Sequence, residues 1–125
     1  MEIAATTELP TVLEDFKLRF NTNPRVKRLV DGWNRLVVLD ASDTGRKFGL
    51  VVHHTELTEV RVLDDFDDGA DDLVHLQADE QILRRIFSGD YNPATALTDG
   101  NLAVFSKDRD KVKLEALAML IWRLG

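Results

Sequence analysis

The sequence contains no cysteine. Disulfide bonds, thiolate nucleophiles and cysteine metal sites are therefore excluded, and an oxidising compartment is not required. Glycine and proline are scarce, with seven and three residues among 125, while 44% of the residues are hydrophobic. This composition is typical of a globular protein and excludes collagen-like and low-complexity chains. We expect a single cytoplasmic domain over residues 1–125, with residues 1–10 loosely ordered.

Long apolar runs and an excess of positive charge are also missing. No uninterrupted apolar run approaches the roughly 18 residues that a membrane span needs, and the first residues lack the basic start and apolar stretch of a secretion signal. Sixteen basic residues face 22 acidic ones, which gives a net charge of -6. This balance disfavours binding to nucleic acid phosphates and to anionic membranes. We therefore expect no nucleic acid partner and at most transient membrane contact.

The spacing of hydrophobic residues predicts both helices and strands. Apolar residues three and four positions apart predict helices, with Thr11 and Glu14 as a capping box for the first and Asn23 as the cap of the second. Alternating apolar and polar residues predict strands. The predicted helices cover 11–20, 24–31, 80–88, 93–97 and 110–124, and the predicted strands cover 36–41, 47–53, 57–63, 73–78 and 102–106.

The order of these elements indicates an α+β fold. Four strands precede the helix that Asp79 is expected to cap, so we expect them to form an antiparallel meander, with the acidic segment 64–72 as a solvated hairpin loop. The fifth strand would complete a five-stranded, mostly antiparallel sheet with the helices on one face. The last predicted helix is apolar around nearly its whole circumference, so it needs cover on more than one side.

Few residues carry reactive chemistry. His53 and His54 are neighbours on a predicted strand and should point to opposite faces, which would prevent joint action on one substrate atom. Segment 64–72 resembles the start of a calcium loop, but Phe66 and His75 occupy positions that require oxygen ligands. No glycine-rich phosphate loop or serine nucleophile motif is present. We expect no catalytic residue, metal site or cofactor; a histidine enzyme and a metal site that includes His53 or His75 are minor alternatives.

The second half of the sequence resembles the sterol-carrier-protein type two family. In that family a helix ends in Ser-Gly, as at Ser88-Gly89, an Asn-Pro follows, as at Asn92-Pro93, and a Gly-x-Leu-x-Val strand comes next, as at 100–104. Upstream, Asn21 to Pro24 and Gly32-Trp33 are similar to the start of small stand-alone prokaryotic members. The resemblance covers about Val12 to Leu124.

The resemblance implies a five-stranded sheet and helices that enclose an apolar tunnel. Proteins of this family bind lipids, sterols or fatty acyl chains without transforming them, so it implies a non-catalytic carrier of a hydrophobic ligand such as a lipid, acyl chain, sterol or isoprenoid. Release of the ligand would require the last helix to move. The residues expected to line the ligand site are Phe48, Leu50, Val52, Ile82, Ile86, Phe87, Leu97, Leu102, Val104, Leu117, Leu120 and Ile121.

A second function stays open at this point. The same fold with a filled core would serve as an interaction or accessory module, acting as a dimer or as a subunit of a partner protein. The sequence departs from the family pattern at Phe105, where a polar residue is usual, and at Ser106-Lys107-Asp108, where the family strand usually ends in Gly-Asp. We expect the exposed Phe105 face or the C-terminal helix to form a homodimer, unless a local fold under the N-terminal helix covers Phe105.

Overall fold

The computed structural model describes residues 8–67 and 70–124, with side chains described as far as residue 120. Within these residues the chain forms five helices and five strands. The elements are α1 (Leu9–Thr22), α2 (Pro24–Leu29), β1 (Arg35–Ala41), β2 (Lys47–His53), β3 (Glu56–Leu63), β4 (Leu73–Ala78), α3 (Glu80–Phe87), α4 (Pro93–Thr98), β5 (Ala103–Phe105) and α5 (Asp108–Leu124).

The strands form one sheet in the order β3-β2-β1-β4-β5. The antiparallel succession of β1, β2 and β3 is as predicted, and β5 pairs antiparallel with β4. β4 does not continue the meander, because it pairs with β1 and runs parallel to it. The predicted four-stranded antiparallel meander is therefore wrong. The α+β class and the mostly antiparallel five-stranded sheet are confirmed.

β1 lies at the centre of the sheet because its side chains are apolar on both faces. Val37 and Leu39 are buried toward the helices, and Val38 is buried on the opposite face. β3 differs, because Glu59 and Arg61 are exposed, as is typical of an edge strand with one solvated face. A strand with two apolar faces is typical of the interior of a sheet, where another strand pairs along each of its edges. β2 pairs along one edge of β1, and β4 pairs along the other.

The connection from β3 to β4, described as far as residue 67 and again from residue 70, contacts the back of the sheet, the face opposite the helices. The last residue of β3 lies beside Lys47, whereas β4 begins beside Leu36 at the other end of the sheet. The ring of Phe66, in the connecting segment, packs 4.8 Å from the ring of His75. The predicted hairpin loop is therefore a crossover connection, and it covers part of the back of the sheet.

Two helices begin two residues earlier than predicted, α1 at Leu9 and α5 at Asp108, and α3 differs from the prediction in its cap. α1 begins at Leu9, which is fully buried, and Pro10 lies in the first turn, where its missing N–H costs no hydrogen bond. Residues 9 and 10 are therefore helical rather than loosely ordered, residues 1–7 lie outside the described part, and the capping box at Thr11 is wrong. α3 begins after Asp79 as predicted, but the Asp79 side chain makes no capping hydrogen bond. The Glu80 N–H donates instead to Asp43 in the β1–β2 turn, at 2.9 Å.

The β2–β3 connection corrects the prediction for the two adjacent histidines. β2 ends at His53, and the turn residues His54 and Thr55 have φ of 52° and 68°. Two positive φ values are typical of the type I′ turns that connect hairpin strands. The two imidazole rings consequently lie side by side, with their centroids 3.8 Å apart. His53 and His54 therefore do not point to opposite faces of a strand.

Candidate functional site

An apolar pocket of about 100 Å³ lies between the sheet and the helices. α1 and α3 form one wall, the helix-facing side chains of the sheet form a second, and α5 forms a third. Every residue that lines the pocket is apolar. The lining residues are Phe16, Phe20, Val37, Leu50, Leu57, Leu76, Leu83, Ile86, Phe87, Pro93, Leu102, Val104, Leu114, Leu117 and Ala118.

The register of the sheet places the strand residues of the lining side by side. Val37 of β1 lies opposite Leu50 of β2, and Leu76 of β4 lies opposite Val104 of β5. Residues that face each other across neighbouring strands point to the same side of a sheet. Four strands thereby present one continuous apolar surface to the helices, together with Leu57 of β3.

Three phenylalanines form the part of the pocket between α1 and α3. The ring of Phe16 packs edge-on against Phe87, with 5.0 Å between the centroids, and against Phe20, with 5.9 Å between the centroids. Edge-to-face aromatic pairs are favourable beyond the area that they bury. This cluster packs α1 against α3 at this wall of the pocket.

α5 is anchored at its first turn by a buried charge. The carboxylate of Asp110, only 1% exposed, accepts hydrogen bonds from Trp33 Nε1 at 2.8 Å and from Arg35 Nε and Nη2 at 3.1 and 3.0 Å. Burial raises the pKa of Asp110, but the hydrogen bonds from Arg35 and Trp33 and the charges of Arg35 and Arg109 outweigh burial. The pKa of Asp110 therefore lies below its ordinary value of 3.8.

Six of the twelve residues expected at the ligand site line this pocket. They are Leu50, Ile86, Phe87, Leu102, Val104 and Leu117. Phe48 and Val52 are buried in the same core outside the lining, and Ile82 and Leu120 are half-buried against that core. Leu97 is 51% exposed on α4, whose buried residues are Pro93 and Ala96. The side chain of Ile121 lies outside the described part.

The remaining lining residues were not expected from the sequence. Val37 and Leu57 are strand partners of β2 residues that were expected, so the alternation pattern together with the correct pairing would have found them. Phe16 and Phe20 lie on the apolar stripe of α1, which the periodicity identifies only as a face that packs against something. Asp110, the anchor of α5, carries no sequence pattern that distinguishes it from an ordinary acidic residue in a first turn.

The polar residues suited to acid-base chemistry lie on the other side of the sheet. His75 is buried there, with Nε2 3.0 Å from Asp40 Oδ2, and Gln77 donates a hydrogen bond to the same oxygen at 3.3 Å. Within residues 8–67 and 70–124, no group of three histidine or acidic residues is placed to bind a metal ion. In the same part of the chain, every helix is too short or too polar to cross a bilayer.

Phe105 lies at the edge of the back of the sheet and is 50% exposed. Its ring packs 5.1 Å from that of His75, which leaves its other side open to solvent. α1 does not cover it, because α1 packs on the helix side of the sheet against β3 and α3. The alternative of a local cover by the N-terminal helix is therefore wrong.

No family model matches the chain, and no curated protein matches it significantly. Solved structures with a similar fold are known. The chain superposes on the palmitated SCP2L2 from Aedes aegypti with a TM-score of 0.61 and 18% identity, over 92% of this chain and 95% of that one. It superposes on a sterol carrier protein 2 with a TM-score of 0.60 and 14% identity, over 95% and 98% of the two chains.

The chain is also similar to one part of an enzyme. The sec-alkylsulfatase Pisa1 from Pseudomonas sp. superposes with a TM-score of 0.67 and 17% identity over 95% of this chain. This chain spans only 17% of the length of the sulfatase, so the similarity concerns one part of that protein. The resemblance drawn from Ser88 to Val104 is thus confirmed for the fold. The chain has the fold of sterol carrier protein 2.

Proposed function

We propose that this protein binds and carries a hydrophobic ligand with a hydrocarbon chain, such as a lipid or acyl chain, without transforming it. The observation that carries the proposal is the pocket between sheet and helices, whose fifteen lining residues are all apolar. Such side chains provide no hydrogen-bonding group and no nucleophile, but they can surround a hydrocarbon chain and exclude water from it. We further propose that the protein acts in the cytoplasm, without a cofactor or metal ion and without a nucleic acid partner.

Burial of the chain supplies the binding free energy. Each methylene group moved from water into the pocket contributes about 0.8 kcal/mol, so a ten-carbon chain gains about 8 kcal/mol before the costs of ordering. A gain of about 8 kcal/mol corresponds to a Kd of about 1 μM before those costs, so the affinity for such a chain would be weaker than micromolar. Specificity for chain length would follow from how much of the chain the walls can enclose.

The ligand would enter by displacing α5. Pockets that enclose small ligands usually measure about 300–1,000 Å³, whereas this one measures about 100 Å³. The wall of Phe16, Phe20 and Phe87 is fixed by aromatic packing, and the sheet is fixed by its hydrogen bonds. α5 takes no part in the strand pairing, so it can tilt about its anchored first turn without breaking the sheet.

The solved structures support the same class of ligand. The Aedes aegypti protein with this fold is palmitated, and palmitate carries an unbranched alkyl chain. We infer that the pocket accepts such a chain in preference to a bulky ring system, because a narrow pocket adapts to a flexible chain at lower cost.

A filled pocket tests the proposal. Ala118 lines the pocket, so Ala118→Phe should place an aromatic ring where the ligand would lie. We expect calorimetry to detect decanol binding at one site per chain in the wild type and at least tenfold weaker binding in this variant. The control is Met119→Phe, since Met119 is largely exposed on the same helix. Equal decanol binding by all three proteins would contradict the proposed site.

The exposed face of Phe105 favours a second candidate function, self-association. A half-exposed aromatic ring beside the outer edge of β5 is the kind of surface that a second copy could cover. In this candidate the protein is an interaction module whose small pocket stays filled by its own side chains. The mass of the native particle, measured with and without bound lipid, distinguishes this module from the carrier.

A further inference from the structure

The six-residue helix α4 forms part of the pocket wall. Pro93, at its start, lines the pocket, and Ala96 is fully buried. The other side of α4 faces outward, where Leu97 is half-exposed. α4 packs mainly against α5, the helix that the ligand would displace. Because α4 takes no part in the strand pairing, it can move outward without breaking the sheet.

A glycine with a left-handed backbone conformation lies at each end of the segment that contains α4. Gly89 follows α3 with a φ of 86°, and Gly100 follows α4 with a φ of 79°. Residues other than glycine rarely adopt such angles. A Cβ atom at Gly100 would meet no atom within 4 Å, so its backbone conformation, and not a lack of space, requires glycine there. Segments that swing as a unit bend at such terminal positions, so residues 90–99 have a hinge point at each end.

Side chains join the two ends of this segment. The Tyr91 hydroxyl, one residue before the Asn92 cap of α4, donates a hydrogen bond to Asp99 Oδ2 at 3.0 Å. The same hydroxyl accepts a hydrogen bond from Asn101 Nδ2 at 3.0 Å. The Tyr91 ring is also held from α3, because the guanidinium carbon of Arg85 lies 4.8 Å from its centre. We call the hydrogen-bonded residues Tyr91, Asp99 and Asn101 the latch of α4.

The latch is a contact that can open while the protein stays folded. Tyr91 is half-buried against the core, but its hydroxyl bonds to exposed groups. Water replaces hydrogen bonds between exposed groups at little cost in free energy. The hydroxyl therefore contributes little to the core, and its contacts serve mainly to keep α4 in place.

We propose that Tyr91 holds α4 closed over the pocket and thereby sets the rate at which the ligand enters and leaves. When the latch opens, the segment between Gly89 and Gly100 swings outward, and α5 loses its contact with α4. α5 can then tilt and admit the ligand. This inference rests on the proposed carrier function. Tyr91 is a positioning residue that does not touch the ligand, so it controls the rates of binding and release and not the affinity.

The dissociation rate and the affinity distinguish a positioning residue from a binding residue. NMR exchange measurements with decanol carrying a ¹³C-labelled methyl group give the dissociation rate, and calorimetry gives Kd. We expect Tyr91→Phe to raise the dissociation rate about fivefold, the effect of one lost hydrogen bond, while Kd stays within about twofold because the association rate rises equally.

The control for this experiment is Thr98→Val. It removes an exposed hydroxyl of α4 that bonds within the helix, to the carbonyl oxygen of Ala94, and it should change neither the rate nor Kd. An unchanged dissociation rate in Tyr91→Phe, or an equal rise in Thr98→Val, would overturn the proposal. A Kd for Tyr91→Phe that rises as much as the dissociation rate would also overturn it, because Tyr91 would then contribute to binding itself.

A second variant removes the other partner of the contact. Asp99→Ala should also raise the dissociation rate, and the double variant of Tyr91→Phe and Asp99→Ala should be no faster than Tyr91→Phe alone, because both changes break the same hydrogen bond. If the two effects multiply, the residues act separately and the latch is contradicted.

Hydrogen exchange tests the latch without a ligand. The backbone amides of Asn101 and Leu102 both donate to the carbonyl oxygen of Ala96, and opening of the segment would break these bonds. They should exchange faster in Tyr91→Phe than in the wild type and in Thr98→Val. Equal exchange in the three proteins would contradict the latch.

The outcomes also separate this inference from the function on which it rests. If the wild type binds decanol and all variants release it at the same rate, the latch fails alone. If the wild type binds no decanol, the carrier function fails, and the control of ligand entry by Tyr91 fails with it.

Discussion

At the scale of single residues, the most consequential contact is the buried carboxylate of Asp110. It joins α5 to Trp33 and to Arg35, which follow α2, and Arg35 also stacks 5.4 Å from the Trp33 ring. A carboxylate this deeply buried is tolerated only because its charge is met by a guanidinium and its oxygens accept three hydrogen bonds. Removal of the carboxylate charge would leave the Arg35 guanidinium partly buried without its counter-charge.

We expect Asp110→Asn to lower the free energy of unfolding by about 3 kcal/mol at neutral pH, measured by urea denaturation. The control, Asp108→Asn, removes an exposed carboxylate of the same turn that pairs with Lys111, and should change stability by less than about 0.5 kcal/mol. Equal losses in the two variants would show that helix-terminal charge matters and the buried contact does not.

The stabilisation by Asp110 also depends on pH in a defined direction. Because the folded state lowers the pKa of Asp110 below 3.8, its stabilising contribution is complete well above pH 3.8 and disappears as the pH falls through the folded value. The stability difference between the wild type and Asp110→Asn should therefore be constant near neutrality and shrink below pH 3.8. If this stability difference stays unchanged into strong acid, the stabilisation does not come from the ionised carboxylate of Asp110.

At the scale of elements, α5 combines a fixed end with an end that can move. Its first turn is held by Asp110, whereas the following turns contact the rest of the protein through the pocket residues Leu114, Leu117 and Ala118. Val112 and Met119 are largely exposed on its outer side. A helix that packs partly over a pocket has fewer buried contacts than a helix that packs over a filled core. Moving it away from the sheet therefore costs less free energy.

Hydrogen exchange followed by mass spectrometry tests this division of α5. Backbone amides of residues 114–120 should exchange faster than those of β1 and should become protected when decanol is added. Amides of the first turn, near Asp110, should change little. Ligand-induced protection confined to the sheet, or uniform protection along α5, would contradict the proposal that this helix is the movable wall.

At the scale of the whole molecule, the sequence predicted the elements better than their arrangement. Alternation identified all five strands, and the segment from Ser88 to Val104 indicated the fold. Periodicity, however, identifies each strand separately and does not show which strands pair. The partner of β4 depends on which strand is apolar on both faces. The continuous run Leu36 to Leu39 was that signal, because a central strand needs no polar face.

The candidate site was predictable in part for a similar reason. Leu50, Leu117 and four other expected residues line the pocket, because apolar faces of strands and helices have to meet in a core. The aromatic pair of Phe16 and Phe87 could not be inferred, since it joins residues far apart in the sequence.

The central claim, that the pocket holds a hydrocarbon chain, is tested most directly by native mass spectrometry of the protein purified from its own host, followed by denaturation and lipid extraction. We predict a monomer carrying one lipid with an alkyl chain, and loss of that lipid in Ala118→Phe but not in Met119→Phe. A dimer without lipid, formed by a wild-type protein that also fails to bind added decanol and decanoate, would contradict the claim and favour the interaction module.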